Sequence, residues 1–205
     1  MTPILSILIP SIPERAYLFN PLYDELNRQV AYMHDTHPTL GKIEILVDNS
    51  DSFLRGGMSI GQKRDSLVQR ATGRYLCFLD DDDAVSGDYL ETLVRMAQYK
   101  ACILTFNAFC KLETYWMVVE MSLKNEINEE ARPGIIQRRP WHVCPVISTY
   151  AKQHKFENVS YGEDWKWFEK VLNHCYAECT TDAILYEYRH GAHSESDKII
   201  KAGYV

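Results

Sequence analysis

Residues 78–83 read Phe-Leu-Asp-Asp-Asp-Asp. Two apolar residues lead directly into four carboxylates, Asp80, Asp81, Asp82 and Asp83, at the end of a run with the character of a buried strand. Carboxylates this close repel one another, and removing them from water is costly. Such a run either faces solvent or meets positive charge. An acidic turn opening a helix is one solution, because aspartates there favour the helix dipole. A hard divalent cation is the other. Mg2+ and Mn2+ prefer oxygen ligands and usually take one or two carboxylates together with substrate phosphates. Alternate residues of an extended segment point the same way, so Asp80 and Asp82 would face one site. A position directly behind a buried strand favours the cation.

The surrounding elements must bring partners to that run. Residues 4–10, Ile-Leu-Ser-Ile-Leu-Ile-Pro, read as a buried parallel strand, followed by a loop through Arg15. The pattern predicts a helix from Pro21, with Leu22, Leu26, Val30 and Met33 on one face. Residues 42–47 form a second strand, ending at the polar cluster Asp48-Asn49-Ser50-Asp51. Ser59 and Gln62 have capping-box spacing, which starts a helix reaching about Ala71, with Gly73 as its stop signal. Residues 74–79 form a third strand, and Ser86 caps a helix through about Tyr99. Two more strands are expected in 101–109 and 112–121, then a mobile polar loop over 122–140 whose Arg132, Arg138 and Arg139 can close over phosphates. A helix begins near Glu163, with Trp167, Val171 and either Phe168 or Leu172 on one face; a last strand, 183–189, precedes a polar tail expected to order on ligand binding.

Strand and helix alternate in the first half, which is the pattern of an α/β fold around a parallel sheet. In such sheets ligands bind at the carboxyl ends of the strands. Three strand ends carry unusual groups: Pro10 through Arg15, Asp48-Asn49, and the aspartates. If the strands are parallel these converge on one edge, with acceptors for a base or ribose, basic groups at Arg15 and Arg64, and the carboxylate cluster.

Composition bounds the function. The 205 residues suffice for one substantial domain, and 46% hydrophobic content supports a core. A net charge of −6 argues against general nucleic-acid binding. No apolar run reaches the length of a membrane span, so a soluble, cytoplasmic protein without stable membrane insertion is expected. Cys77, Cys102 and Cys110 lie in apolar runs and read as buried reduced thiols. Cys175 and Cys179 have no second pair at zinc-ligand spacing.

Taken together, these segments resemble the family-2 glycosyltransferases of the GT-A fold. The resemblance rests on Ile-Leu-Ile-Pro-Ser-Ile-Pro-Glu-Arg, on Val47–Ser50, on Arg64-Asp65 with Ala71-Thr72-Gly73, on Phe78–Asp83, on Gly162-Glu163-Asp164 and, loosely, on Tyr188-Arg189-His190. The motifs keep the family's order over about residues 4–196. Asn49 stands where a second aspartate is usual, and Asp65 where asparagine is usual.

The resemblance implies an α/β/α sandwich with a mainly parallel central sheet. It implies one catalytic domain over 1–205, with about 1–100 binding the nucleotide sugar and about 101–205 the acceptor and catalytic base. The implied reaction is an inverting, metal-dependent transfer from a nucleotide-diphosphate sugar to an acceptor hydroxyl. A UDP-sugar is favoured because Asp48 matches the uracil-reading residue. Pro10, Ser11, Ile12 and Arg15 would line the nucleotide pocket, Arg64 would support the base or diphosphate, and Asp80 and Asp81 would face the nucleotide sugar. Mn2+ or Mg2+ would sit on Asp82, with Asp83 adjacent and a late histidine, His190 or His193, as a third ligand; His193 is favoured. Asp164 would be the general base and Glu163 would orient a hydroxyl or the base. Trp141, His142 and Trp165 would adjoin an acceptor that is a saccharide, a glycolipid, a protein or a modified nucleobase. The competing expectations are a metal-dependent nucleotidyltransferase or phosphohydrolase using the same carboxylates, and a non-catalytic nucleotide-sugar-binding module.

Overall fold

A computed structural model of the chain describes residues 2–111, 116–126 and 129–189. Strand β1 (Leu5–Pro10) is buried along its whole length and lies between β2 (Ile43–Asp48) and β3 (Tyr75–Phe78), parallel to both. A strand flanked on both sides and covered on both faces is mainly apolar, as Leu5, Ile7, Leu8 and Ile9 are, and its one buried hydroxyl, Ser6, is hydrogen-bonded to Glu44 and Gly73. Short β4 (Ala84–Val85) follows the aspartates. The second half is mixed. Strand β5 (Ile103–Lys111) pairs antiparallel with β6 (Trp116–Met121), which pairs parallel with β8 (Ile135–Arg138), itself antiparallel to β7 (Glu129–Arg132). The two-residue β9 (Val146–Ile147) bridges β3 to β5, and β10 (Glu178–Arg189) runs parallel to β5 and antiparallel to β4. The result is one sheet of order β2-β1-β3-β9-β5-β6-β8-β7, with β10 on β5 and β4.

The helices are α1 (Ala16–Thr36), α2 (Ile60–Arg70), α3 (Tyr89–Met96), α4 (Ser148–Ala151) and α5 (Glu163–Leu172). Helix α1 packs with α3, while α2 and α4 pack with α5. Phe78 ties the sheet to α5: its ring meets Phe156 and Trp167 edge-on at 5.5 and 5.8 Å, and Trp167 stacks on Phe156 at 4.4 Å. Both Phe168 and Leu172 are buried with Trp167 and Val171, so the apolar face of α5 is wider than a single stripe.

Several local expectations are corrected. Helix α1 starts at Ala16, preceded by a 3-10 turn at Pro13–Arg15, and Pro21 lies inside it. Pro13 is the helix-starting proline, and Pro21 is tolerated on an exposed face, where water can take the carbonyl it leaves unpaired. Ser59 caps α2 with the reciprocal Gln62 bond, as its spacing predicts. Gly73 is not a left-handed stop, because α2 ends at Arg70; a Cβ there would lie 2.4 Å from Ser6 Oγ, so it serves close approach to β1. Asp88, not Ser86, is the N-cap residue of α3; Ser86 N–H bonds Leu185 O and its carbonyl accepts from Gln29. Within the expected mobile loop, 129–138 is a β-hairpin turning at Gly134, whose φ of 77° suits glycine. Among the described residues no helix is long and apolar enough to cross a membrane.

Candidate active site

The parallel register brings the strand ends together. Ser11 N–H donates to Asp48 O at 2.8 Å, and Ser11 Oγ donates to Asp81 Oδ2 at 2.6 Å. Lys63, 3% exposed on α2, donates from Nζ to Ser11 O at 2.6 Å and to Ser50 O, fastening the ends of β1 and β2 together. Nothing in the sequence marked it, because a lysine on an amphipathic helix ordinarily reads as solvated. Pro10, Ser11, Ile12, Arg15 and Asp81 line a small pocket of about 60 Å³ at this edge, with Lys63 among them. Asp48 is turned to Ser50, whose N–H and Oγ donate to Oδ1 at 3.1 and 2.6 Å.

The aspartate run meets the chain's own cations. Arg15 Nη2 lies 2.6 Å from Asp81 and 2.7 Å from Asp82. Arg64 Nη2 donates to Asp80 Oδ1 at 2.8 Å and its Nε lies 3.2 Å from Glu163. Burial raises the Asp81 carboxyl to about 6, with Arg15 and Ser11 opposing the rise. Asp83 departs from its expected role as a metal ligand. It is buried, and its oxygens accept from Tyr186 Oη and from Arg189 N–H at 2.7 Å. Burial, aided by the charge of Asp80, pushes its carboxyl well above the ordinary range.

Arg64 and Glu163 are buried and face each other. Arg64 is 3% exposed, 4.9 Å above the Phe78 ring, and paired with Asp80. Glu163, 4% exposed, turns inward to Arg64 instead of toward an acceptor. Adjacent residues on a helix project about 100° apart, so only one of the Glu163-Asp164 pair faces outward. That residue is Asp164.

Asp164 lines a cavity of about 550 Å³ together with Asp80, His142, Trp141, Trp165 and Arg138. His142 bridges the two carboxylates: Nδ1 is 3.0 Å from Asp164 Oδ2 and Nε2 is 3.4 Å from Asp80 Oδ2. The second distance is an ion-pair contact and too long for a hydrogen bond. Burial and Arg64 oppose a charge on His142, but Asp80 and Asp164 outweigh them and push the imidazole up to about 9. Burial likewise opposes ionisation of Asp164. The hydrogen bond and charge of His142, with Arg64, hold the carboxyl well below the usual range, and Trp165 N–H donates to Oδ1 at 2.8 Å. The carboxylate is ionised at neutral pH.

The fit to a divalent cation rests on Asp82. Its side chain is 24% exposed, and Arg15 on Oδ2 is its one ion-pair partner among the described residues, which leaves Oδ1 clear. One such carboxylate suits an ion that completes its shell with phosphate oxygens and water. Among the described residues no group of three His, Cys, Asp or Glu is placed to hold a metal unaided. His190 and His193 lie outside the described residues.

With this geometry in hand, comparison places the chain among known proteins. The profile described as glycosyl transferase family 2 matches residues 57–157, which hold α2, the aspartate run and His142. Over that stretch the chain is similar to glycosyltransferase family 2. The chain is 25% identical over 118 residues to TuaG of Bacillus subtilis (strain 168), a protein assigned to teichuronic acid biosynthesis as a glycosyltransferase; the match covers 52% of this chain and 47% of TuaG. The fold is that of S. aureus TarS 1-349, with a TM-score of 0.62 at 13% identity over 90% of this chain and 60% of TarS. TarS solved with UDP-GlcNAc gives 0.61 at 12% identity, covering 94% and 60%. The mannosyltransferase PcManGT from Pyrobaculum calidifontis, solved with GDP-Man and Mn2+, gives 0.53 at 10% identity, covering 98% and 61%. The chain thus spans about half the length of the curated relative it matches and about 60% of these solved chains. The fold expectation, an α/β GT-A architecture, holds.

Proposed function

We propose that the chain is an inverting glycosyltransferase that moves a sugar from a nucleotide-diphosphate donor, a UDP-sugar, to an acceptor hydroxyl. The observation that carries this reading is that Asp164 and Asp80, far apart in sequence, share His142 in the wall of one cavity at the carboxyl edge of the parallel strands. The strand edge at Ser11 and Arg15, where the small pocket opens, takes the nucleotide, and the larger cavity takes the sugar and acceptor. The UDP-GlcNAc complex of TarS supports a uridine donor; the GDP-Man and Mn2+ complex of PcManGT supports a metal.

Asp82 would hold Mn2+ or Mg2+ jointly with the donor's phosphates, and the cation would offset charge developing on the departing diphosphate. Arg15 presents a second positive group at the same edge. Asp164 accepts the proton of the acceptor hydroxyl as that oxygen bonds to the anomeric carbon and the bond to the diphosphate breaks on the opposite face. His142 and the Trp165 N–H fix the carboxylate's direction. The domain divides accordingly, with about 1–100 serving the nucleotide and about 101–205 the acceptor and base.

The test is a titration of UDP and UDP-glucose with and without Mn2+, on wild type and Asp82→Asn. The expected result is metal-dependent binding that Asp82→Asn weakens at least about tenfold. Absence of binding by UDP, GDP and dTDP under every metal condition overturns the proposal.

A further inference from the structure

Arg138, at the end of β8, lines the same cavity as Asp164. Its guanidinium lies 3.9 Å from the Trp141 ring centroid and 5.9 Å from that of Trp165, and its Nε donates to Arg139 O at 3.2 Å. Three other cations at the site meet carboxylates: Arg15 has Asp81 and Asp82, Arg64 has Asp80 and Glu163, and His142 has Asp80 and Asp164. Among the described residues no carboxylate lies within ion-pair distance of Arg138, although the chain as a whole is acidic. Burial lowers the guanidinium only to about 10, which leaves it charged at neutral pH.

Arg138 is half-buried and feels the Asp164 charge only from beyond ion-pair distance, so its own charge is incompletely offset, and a guanidinium set against one indole and near a second has its plane fixed in advance. Its remaining N–H donors form a fork that matches a carboxylate or phosphate. A cavity of about 550 Å³ is large enough for a saccharide. The nucleotide pocket has its own basic residues, Arg15 and Lys63, and Arg138 does not line it.

We propose that Arg138, held between Trp141 and Trp165, is the anion subsite of the acceptor cavity, so that the acceptor is a saccharide or polyol bearing a carboxylate or phosphate. This rests on the reading of Asp164 as the base that faces the acceptor.

The experiment titrates wild type, Arg138→Gln and Arg138→Lys with methyl glucuronide, glycerol 1-phosphate and neutral methyl glucoside. Each is measured by calorimetry or saturation-transfer NMR, with and without UDP. In wild type at least one anionic probe is expected to bind about tenfold or more tighter than the glucoside. Arg138→Gln should reduce that preference to less than about twofold, and Arg138→Lys, which keeps the charge and stem but loses the fork, should retain part of it. UDP affinity should be equal in all three proteins, which also reports that the variants are folded. A response to glucuronide alone assigns a carboxylate, and to glycerol phosphate alone a phosphate; either supports the subsite. Equal binding of charged and neutral probes, no binding of either anion to wild type, or a preference that survives Arg138→Gln overturns it. So does loss of UDP affinity in a folded Arg138→Gln, or an Arg138-dependent preference for UDP-glucuronate over UDP-glucose, since the guanidinium would then serve the donor. Failure of UDP to bind wild type while the Arg138-dependent anion preference persists sinks the glycosyltransferase reading and leaves the subsite standing.

Discussion

One imidazole at the centre of the site serves two carboxylates, and its protonation has a measurable consequence. His142 is faced by Asp80 and Asp164 on its two nitrogens, with Arg64 nearby. Its folded value, about 9, stands above the ordinary 6.5. A raised value means that the folded state holds the proton more tightly than the unfolded chain. The stability this contributes is fully present below about 6.5 and is lost as pH rises through about 9. Thermal melts across that window should show a falling melting temperature in wild type and a flatter profile in His142→Gln. Asp164→Asn should lower kcat by about a thousandfold with unchanged UDP affinity, measured by initial rates and calorimetry. Full turnover in that variant would remove Asp164 from the mechanism. The position of Asp164 at the start of α5 was legible because an acidic pair precedes an apolar helical stripe, whereas its proposed role came from the resemblance. The bridging by His142 was not legible, because its partners lie 62 residues before and 22 residues after it in the chain, and only folding brings them together.

At the scale of elements, the N-terminus of α2 is fitted against the segment that leads into α5. Gly61 N–H donates to Val159 O at 3.1 Å, and a Cβ on Gly61 would lie 1.9 Å from Glu157 O. Gly61→Ala must therefore displace backbone, and a cost of about 3 kcal/mol is expected in urea unfolding. Activity should fall with it, since the same segment sets where α5 presents Asp164. The strands and most helices were legible because apolar runs and the Ser59 box are local signals. The hairpin of β7 and β8 was not. Glu129, Glu130, Ala131 and Arg132 are exposed and carry no apolar alternation, so tertiary pairing with β6 makes strands of a sequence that reads as loop.

For the whole molecule, the two proposed halves share one sheet. Strand β3 pairs with β9, β4 pairs with β10, and Phe78 packs on Phe156 and Trp167. A fragment of residues 1–100 loses all of these partners. It should show no cooperative transition by circular dichroism and rapid cleavage in limited proteolysis; a sharp melt would show that the first half stands alone. The overall α/β plan was readable from alternation, but the antiparallel additions were not, because strand direction depends on connections rather than on composition.

Tyr186 and Arg189 of β10 are what close over Asp83, and Tyr186 follows Asp83 by 103 residues. On the ribosome that interval takes on the order of five to twenty seconds. Throughout it the acidic run is made but uncovered, and β4 and β5 wait for their neighbour. The nascent chain therefore holds a half-neutralised anionic edge until β10 emerges, and the site is completed only when strands far apart in the chain have both been made.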